Sequence, residues 1–213
     1  MSEDSKLTRS KQMWARSGKF LTGHTSRPET DRLPPGQHLV NNWPILDLGQ
    51  TPHIPKDRWR LDVGGEVDNP FSWDWAAFAG QPQIQKTSDM HCVTSWSRYD
   101  NAWEGISTHH LLDVARPRPE AAFVLFTSND GYTTNMALED FASPDAMLVH
   151  SWQGQPLSVE HGGPVRVMVP HLYLWKSAKW IRRIEFATED QLGFWEVRGY
   201  HNHADPWLEE RYS

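Results

Sequence analysis

An α+β fold, a mixed sheet with barrel-like strands and short helices, is predicted by three features of the 213-residue sequence. Apolar–polar alternation and short apolar runs recur at RWRLDVGGEV, AAFVLFTS, MLVHSW and KWIRRIEFA, with glycine, proline or Asn–Asp turn signals around them. Helical periodicity is confined to short stretches, of which STHHLLDVAR is the clearest, so strands outnumber helices. No internal repeat and no low-complexity linker separates two cores, so one folded domain is expected over residues 34–213.

The elements follow in order. Residues 1–33 carry many charges and little apolar periodicity, which predicts a loosely packed polar arm. Pro34, Pro35 and Gly36 mark entry into the domain, and the proline-broken HLVNNWPILDLGQTPHIP reads as an extended loop. RWRLDVGGEV predicts two strand arms about a turn or bulge at Gly64–Gly65. FSWDWAAFAG fits a short helix with Ser72 as N-cap. QIQKTSDM is a strand running into His91–Cys92. STHHLLDVAR is an amphipathic helix, capped by Ser107 or Thr108 and ended by Pro117. AAFVLFTS is a buried strand closed by the Asn129–Asp130–Gly131 turn, and LEDFAS is a short helix that stops before Pro144. MLVHSW and QPLSVE form a hairpin around Gly154. VRVMVP and KWIRRIEFA are further strands, and the aromatic tail after Gly193 is irregular.

Composition removes several function classes. A single cysteine excludes an internal disulfide and any multi-cysteine zinc or iron–sulfur site. Lys+Arg 21 against Asp+Glu 27 leaves a net charge of −6, which argues against a nucleic-acid partner held by phosphate neutralisation. No apolar run reaches the length of a membrane span, and the polar N-terminal sequence has neither a secretory signal core nor a twin-arginine pair ahead of an apolar stretch. A soluble, cytoplasmic protein is therefore expected. The 12 tryptophans and 11 histidines are many for this length, yet neither count names a function.

Cys92, in SDMHCVTSWSRYDNAWEG, is the sharpest chemical feature. A free cysteine is often simply a buried small hydrophobe. A nucleophile needs a base, and His91 is badly placed because adjacent strand side chains point to opposite faces. A transition-metal ligand is the third reading, but one thiolate does not complete a site. The second feature is EHGGPVRVMVPHLYLWKSAKW. Gly162–Gly163–Pro164 permits a tight bend close to a ligand, and Arg166, Lys176, Ser177 and Lys179 suit a phosphate or, equally, an ordinary charged strand face. Within SNDGYTTN, Asn129–Asp130–Gly131 is first a turn and second a set of polar groups beside a ligand. His201 and His203 share a strand-like face and could bind zinc with His91 and Cys92, although no HExxH is present. His109 and His110 face different directions on a predicted helix. Neither GxGxxG nor GxxxxGK[ST] occurs.

Taken together, HCVTSWS and WEGIS, then FTSNDGYTT, then EHGGPVRVMVPHLYLWKSAKWI, in this order and spacing, resemble the sulfite-oxidase-like molybdopterin-binding oxidoreductases, and most closely their short single-domain bacterial branch. LPPGQ and GFWEVRGYHNHADPW fit the same branch, so the resemblance runs from about Leu33 to the C-terminus. It implies the sulfite-oxidase-type molybdopterin-binding fold. It also implies a pterin dithiolene that gives molybdenum, or tungsten, two sulfurs and takes a third from one protein cysteine, so a lone thiolate suffices. By position Cys92 matches the metal ligand. His161 matches the polar residue before the family's Gly-x-Pro-x-Arg turn, and Arg166 matches its cofactor-contacting arginine. Ser177, the Ala178 backbone and Lys179 match the pterin-phosphate segment. Ser128 aligns with a hydroxyl residue near the pterin and Asn42 with an early cofactor-contacting asparagine. His91, Arg98 and Asp130 are the candidates for orienting ligands or substrate.

The resemblance implies a two-electron oxygen-atom transfer on a small substrate containing sulfur or nitrogen, with single electrons exchanged with a separate partner. The chain lacks the haem domain of animal sulfite oxidases and the C-terminal dimerisation domain of the larger enzymes, so a monomer is expected. It has His91 where exported sulfoxide-reducing relatives have arginine. Three rivals stand beside this reading: a zinc hydrolase built on His91, Cys92, His201 and His203, a pterin-cofactor carrier or sensor without turnover, and a tryptophan-rich binding module without metal.

Overall fold

The longest strand of the protein has one of its least apolar strand sequences. In the computed structural model, which describes residues 32–213, WSRYDNAWEGIS forms twelve residues of continuous strand at the centre of one sheet. The first strands are β1 (His38–Leu39), β2 (Arg60–Gly65), β3 (Phe71–Asp74), β4 (Ile84–His91) and β5 (Trp96–Ser107). After them come β6 (Phe123–Ser128), β7 (Thr133–Ala137), β8 (Met147–Trp152), β9 (Gln155–Pro156), β10 (Arg166–Met168) and β11 (Ile181–Ala187). Three short helices, α1 (Trp75–Ala79), α2 (Thr108–Ala115) and α3 (Leu138–Phe141), lie between them.

Two mixed sheets result, which is the α+β architecture predicted. One has six strands, with β5 pairing antiparallel to β4 along one edge and meeting β1 and β8 on the other; β8 continues to β10 and β9. The second has five strands in the order β3-β2-β11-β6-β7. Its path is linear with β3 and β7 at its ends, so the barrel-like part of the expectation is corrected: no barrel closes among the described residues. Residues near β10 join the sheets. Val167 N–H donates to the Ala178 carbonyl (2.9 Å) and Ile181 N–H to the Val165 carbonyl (3.1 Å), just where β11 of the second sheet begins.

Local sequence explains most boundaries. Ser107 caps α2, its hydroxyl accepting from His109 N–H at 3.1 Å, and Arg116 ends the helix in the left-handed region ahead of Pro117. The Ser72 cap is corrected: FSWD is β3, and the helix begins at Trp75 with the Asp74 carboxylate accepting from Ala77 N–H (2.8 Å). Aromatic and polar residues alternate in Phe71–Asp74, so strand pairing with β2 takes those positions from the helix. The second arm after Gly64–Gly65 is likewise no strand; beyond β2, Val67 makes only an isolated bridge to Pro117. Gly65 sits at φ +83 where a Cβ would lie 2.1 Å from the Phe186 carbonyl oxygen, so only glycine lets β2 and β11 meet there. SNDGYTTN is a turn and the start of β7.

The main core lies on the second sheet and includes Trp59, Leu61, Phe78, Phe126, Phe141 and Phe186, all at most 1% exposed. Burial of each contributes on the order of 1.5–3 kcal/mol. The Trp59 indole N–H also reaches the Ile181 carbonyl at 3.1 Å, so this core sets the start of β11. A second cluster around Trp43, Met90, Cys92, Trp96 and Trp103 packs at the other sheet. Between the two clusters the loops enclose the site. Among the described residues no helix is long and apolar enough to cross a membrane.

Candidate functional site

Cys92 stands at the tip of the β4–β5 connection, where both arms are held by strand pairing. Cys92 N–H donates to the Trp96 carbonyl (2.9 Å) and Ser95 N–H to the Cys92 carbonyl (3.0 Å), with Ser95 in the left-handed region at φ 69. The thiol is 6% exposed and faces a cavity of about 350 Å³. Thr94 Oγ1 donates to Cys92 Sγ at 3.2 Å. Burial pushes the Cys92 thiol up, opposed by the Thr94 hydroxyl, the backbone N–H groups of Thr94 and Val93, and the positive charge of Arg211.

One wall of the cavity is cationic. Arg166, the first residue of β10, is 3% exposed and donates only to carbonyls: His161 at 3.0 Å, Ser177 at 2.7 Å and Val167 at 3.3 Å. No carboxylate pairs with it among the described residues, and burial lowers it to about 9. Lys179 lines the same cavity, donates to the Glu160 carbonyl at 2.7 Å and is lowered to about 8 by burial first and by Arg166 second. Lys179 is only part-buried and has the Asp47, Asp130 and Glu160 carboxylates in its surroundings, whereas Arg166 is buried with none among the described residues, which is costly unless an anion completes it. Such a wall therefore suits an anionic group. Ser177 shapes it from behind: its hydroxyl accepts Val169 N–H (2.9 Å) while its carbonyl takes the Arg166 guanidinium.

Much of the remaining lining is aromatic, with Leu46, Leu48, Leu174 and the Asp47 carboxylate beside it. Trp43, Trp96, Trp175, Trp180 and Trp195 contribute, with Tyr132 and Tyr200. His161 stacks on Trp43 with centroids 4.1 Å apart, its ring nitrogens within reach of Ser158 Oγ (3.0 Å) and the Trp43 carbonyl (3.2 Å). Burial, Arg166 and Lys179 lower the His161 pKa, partly offset by the Trp43 carbonyl and Glu160. Two buried polar atoms of lining residues have no protein partner, Ser128 Oγ and Trp96 Nε1. Such groups are normally satisfied, so they mark places where a bound group would complete the hydrogen bonding.

Of the residues singled out from sequence, the structure gathers Cys92, Ser128, Asp130, His161, Arg166, Ser177 and Lys179 around one cavity. Asn42, His91, Arg98 and Ala178 do not line it. Asn42 is exposed, and its neighbour Trp43 turns inward instead. His91 lies in the last position of β4, with Nδ1 at 2.8 Å from Ser97 Oγ and its ring edge-on to Trp207. Arg98 leans over the Trp152 ring (4.8 Å) and donates to the Asn41 carbonyl at 3.2 Å, outside the cavity. Ala178 is buried in the wall, its carbonyl accepting from Val167 N–H. Asp130 reaches the cavity while its carboxylate accepts Tyr132 N–H at 3.0 Å, so it first stabilises its own turn.

The zinc alternative is corrected. Among the described residues no group of three or more His, Cys, Asp or Glu could hold a metal ion. His203 is engaged by Glu210 (2.8 Å), and His201 lies 3.3 Å from the same carboxylate. Trp43, Thr94, Trp96, Tyr132 and Trp180 were missed as lining residues. The tryptophan count was the one signal for most of them, and Thr94 was readable only as a hydroxyl two residues from the cysteine.

The cavity thus offers one buried thiol, a cationic wall and polar atoms awaiting partners. His91, the neighbour of Cys92 in sequence, does not line it. Comparison with known proteins agrees with a cofactor site. Residues 48–195 match the model of the oxidoreductase molybdopterin-binding domain. The chain is 39% identical over 186 residues to the uncharacterized oxidoreductase YuiH of Bacillus subtilis, covering 87% of this chain and 94% of that protein. It is 26% identical over 155 residues to the protein-methionine-sulfoxide reductase catalytic subunit MsrP of Campylobacter jejuni, covering 65% of this chain but only 52% of the reductase. The sulfane dehydrogenase SoxCD of Paracoccus pantotrophus shares the fold at a TM-score of 0.62 and 19% identity, over 74% of this chain and 46% of that one. The thiol, the cationic wall and the matched sequence coincide on one cavity, and the chain belongs to the oxidoreductase molybdopterin-binding domain family, an oxidoreductase that uses molybdopterin and molybdenum.

Proposed function

We propose that the protein catalyses a two-electron oxygen-atom transfer on a small sulfur- or nitrogen-containing substrate, with Cys92 as the protein ligand of the metal. The observation that carries this reading is the placement of the one cysteine, buried and free, in the same cavity as a buried guanidinium without a carboxylate. The residues fit the cofactor. Arg166 lacks the anion that its burial calls for, Lys179 lines the same cavity, and Ser128 Oγ and Trp96 Nε1 lack partners. When bound, the pterin and its metal supply the two-electron redox chemistry.

The chain's own residues do the rest. Cys92 gives up its proton to act as a thiolate, and Thr94 Oγ1 stabilises that charge with its O–H. Arg166 and Lys179 hold the pterin phosphate, and the Ser177 carbonyl keeps the guanidinium aimed. His161, flat against Trp43, closes the wall, and the tryptophans exclude water while offering apolar faces to a substrate. In the reductive direction, R2S=O, two protons and two electrons give R2S and water, with electrons entering singly from a separate carrier. The relatives named as methionine-sulfoxide reductases support that direction, although the chain spans about half of their length.

The test is made on protein from a cofactor-competent host. About one molybdenum and one pterin per chain are expected, with Cys92→Ser folding as wild type by circular dichroism but losing the thiolate-to-metal absorption and turnover of sulfoxide or N-oxide substrates. A folded Cys92→Ser protein with unchanged absorption and turnover removes Cys92 from the site and this reading with it.

A further inference from the structure

We propose that Arg211, in the tail beyond the matched domain, is a positioning residue for Cys92, fixing the turn that presents the thiolate. The assignment rests on Cys92 being the metal ligand. The family match ends at residue 195, yet the chain after it returns to the cysteine. Arg211 Nη1 donates to the Val93 carbonyl at 2.6 Å and reaches Ser95 Oγ at 3.5 Å, two groups of the Cys92–Ser95 turn. Nη2 reaches the Pro35 carbonyl at 3.4 Å, and the guanidinium lies over Tyr173, 5.1 Å from the ring centre. The side chain therefore bridges three separate parts of the chain: the entry segment, the cysteine turn and the wall before residues 174–176.

The turn needs such a brace. Ser95 is held in the left-handed region, where a non-glycine residue costs free energy unless its surroundings fix it. From the opposite side Gln37 Nε2 donates to the Cys92 carbonyl at 3.1 Å. The carbonyls on either side of the Val93 Cα are thus held, that of Cys92 by Gln37 and that of Val93 by Arg211. The tail anchors the arm of Arg211: Arg211 N–H donates to the Glu209 carbonyl (2.7 Å) and its carbonyl accepts from His201 N–H (3.2 Å). Tyr200, near the other end of the tail, lines the cavity itself.

The experiment compares molybdenum-loaded wild type with Arg211→Gln, Arg211→Met and Arg211→Lys, with Cys92→Ser and Leu208→Ala as references. Three quantities are read: the thiolate-to-metal absorption, the reduction potential of the centre, and hydrogen exchange at Cys92 and Ser95. The neutral variants are expected to shift the absorption and the potential as the sulfur loses its fixed place, and to exchange at the turn about tenfold faster, as loss of one charged hydrogen bond implies. Arg211→Lys is expected to restore potential and absorption in part, and Leu208→Ala to match wild type. A folded, loaded neutral variant with wild-type absorption and potential overturns the proposal. Should the neutral variants not fold, a Lys variant, whose single ammonium replaces the fork to the Val93 and Pro35 carbonyls, overturns the proposal if its exchange at Cys92 and Ser95 equals wild type. If Cys92→Ser keeps the wild-type absorption, the metal-ligand reading fails instead. A lost absorption in Cys92→Ser with no change in Arg211→Gln isolates the failure to Arg211.

Discussion

Thr94 Oγ1 lies 3.2 Å from Cys92 Sγ, two residues along the same turn, and its O–H points the polarity of the turn at the sulfur. Burial raises the thiol while this contact lowers it, so the hydroxyl offsets part of the cost of making a thiolate in a dry cavity. Thr94→Val keeps the shape and removes the donor. In cofactor-free protein the thiol is expected to titrate higher, because the donor that favours the thiolate has gone. The pH profile of alkylation by iodoacetamide measures it, and Thr94→Ser is expected to return the wild-type profile. An unchanged Thr94→Val profile means the hydroxyl contributes nothing to thiolate formation.

Lys179 makes a pH dependence with a definite sign. Burial and Arg166 hold it down to about 8, so between that pH and the ordinary lysine range near ~10.5 the unfolded chain carries a proton that the folded chain has released. Stability of the cofactor-free protein attributable to Lys179 therefore rises with pH across this window. Below it the full cost of a buried charge is present. Lys179→Met is expected to remove that rise. Urea midpoints of wild type and variant at pH 7.5 and 10 give the comparison, and a variant more stable than wild type at the lower pH with the gap closing at the higher one is the expected pattern. Pterin retention is expected to go the other way: the variant loses it, because the charge that destabilises the empty site holds the phosphate.

Much of this site is legible in the sequence, and the part that is not has physical causes. Cys92, Arg166, Ser177 and Lys179 were readable because their residue types carry the chemistry and the Gly162–Gly163–Pro164 bend marks the approach. His91 and Arg98 were drawn towards the site by nearness in sequence to Cys92. A residue adjacent on a strand points to the other face, and Arg98 lies beyond the turn, on β5, with its side chain spread over Trp152. Strand β5 itself was missed because Arg98, Asp100, Asn101 and Glu104 break the apolar alternation, and what holds it is pairing with neighbours on both sides. Trp43 was missed in favour of Asn42 because a loop has no period from which the inward residue can be read.

Gly105 tests how β5 is seated. A Cβ there would lie 2.0 Å from the Leu148 carbonyl oxygen and 2.7 Å from Val149 Cα, both backbone atoms that no rotamer change can move. The pairing of β5 with β8 shifts register between Glu104 and Gly105, so the close approach is where the two strands bend together. Gly105→Ala is expected to cost at least about 2–3 kcal/mol, the upper part of the range for overpacking. The drop in urea midpoint measures it. A change below about 1 kcal/mol would mean that the strands slide apart freely.

The tail that carries Arg211 is held by its own charge relay. His203 sits 2.8 Å from Glu210 and 3.7 Å from Asp140, and His171 lies 3.0 Å from the same Asp140 carboxylate. The nearby Asp140 carboxylate, then the hydrogen-bonded Glu210, raises His203 to about 9 against partial desolvation. Asp140 is lowered to about 2, burial opposing and the two histidines prevailing. The signs follow from linkage. The His203 contribution is fully present below the ordinary histidine range near ~6.5 and is lost as pH rises through about 9; the Asp140 contribution is present above ~4 and is lost as pH falls through about 2. His203 is half exposed, so solvent screens the pair and only the shape of the profile is predicted. Hydrogen exchange along the tail from Tyr200 to Tyr212 is expected to gain an extra opening between pH 6.5 and 9 in wild type, beyond the intrinsic pH effect, and His203→Gln to show the looser state at every pH. Because Tyr200 lines the cavity and Arg211 braces the cysteine turn, this opening is expected to reach the amides of Cys92 and Ser95. Exchange at those amides that stays flat while the tail loosens would show that the clasp and the turn are independent.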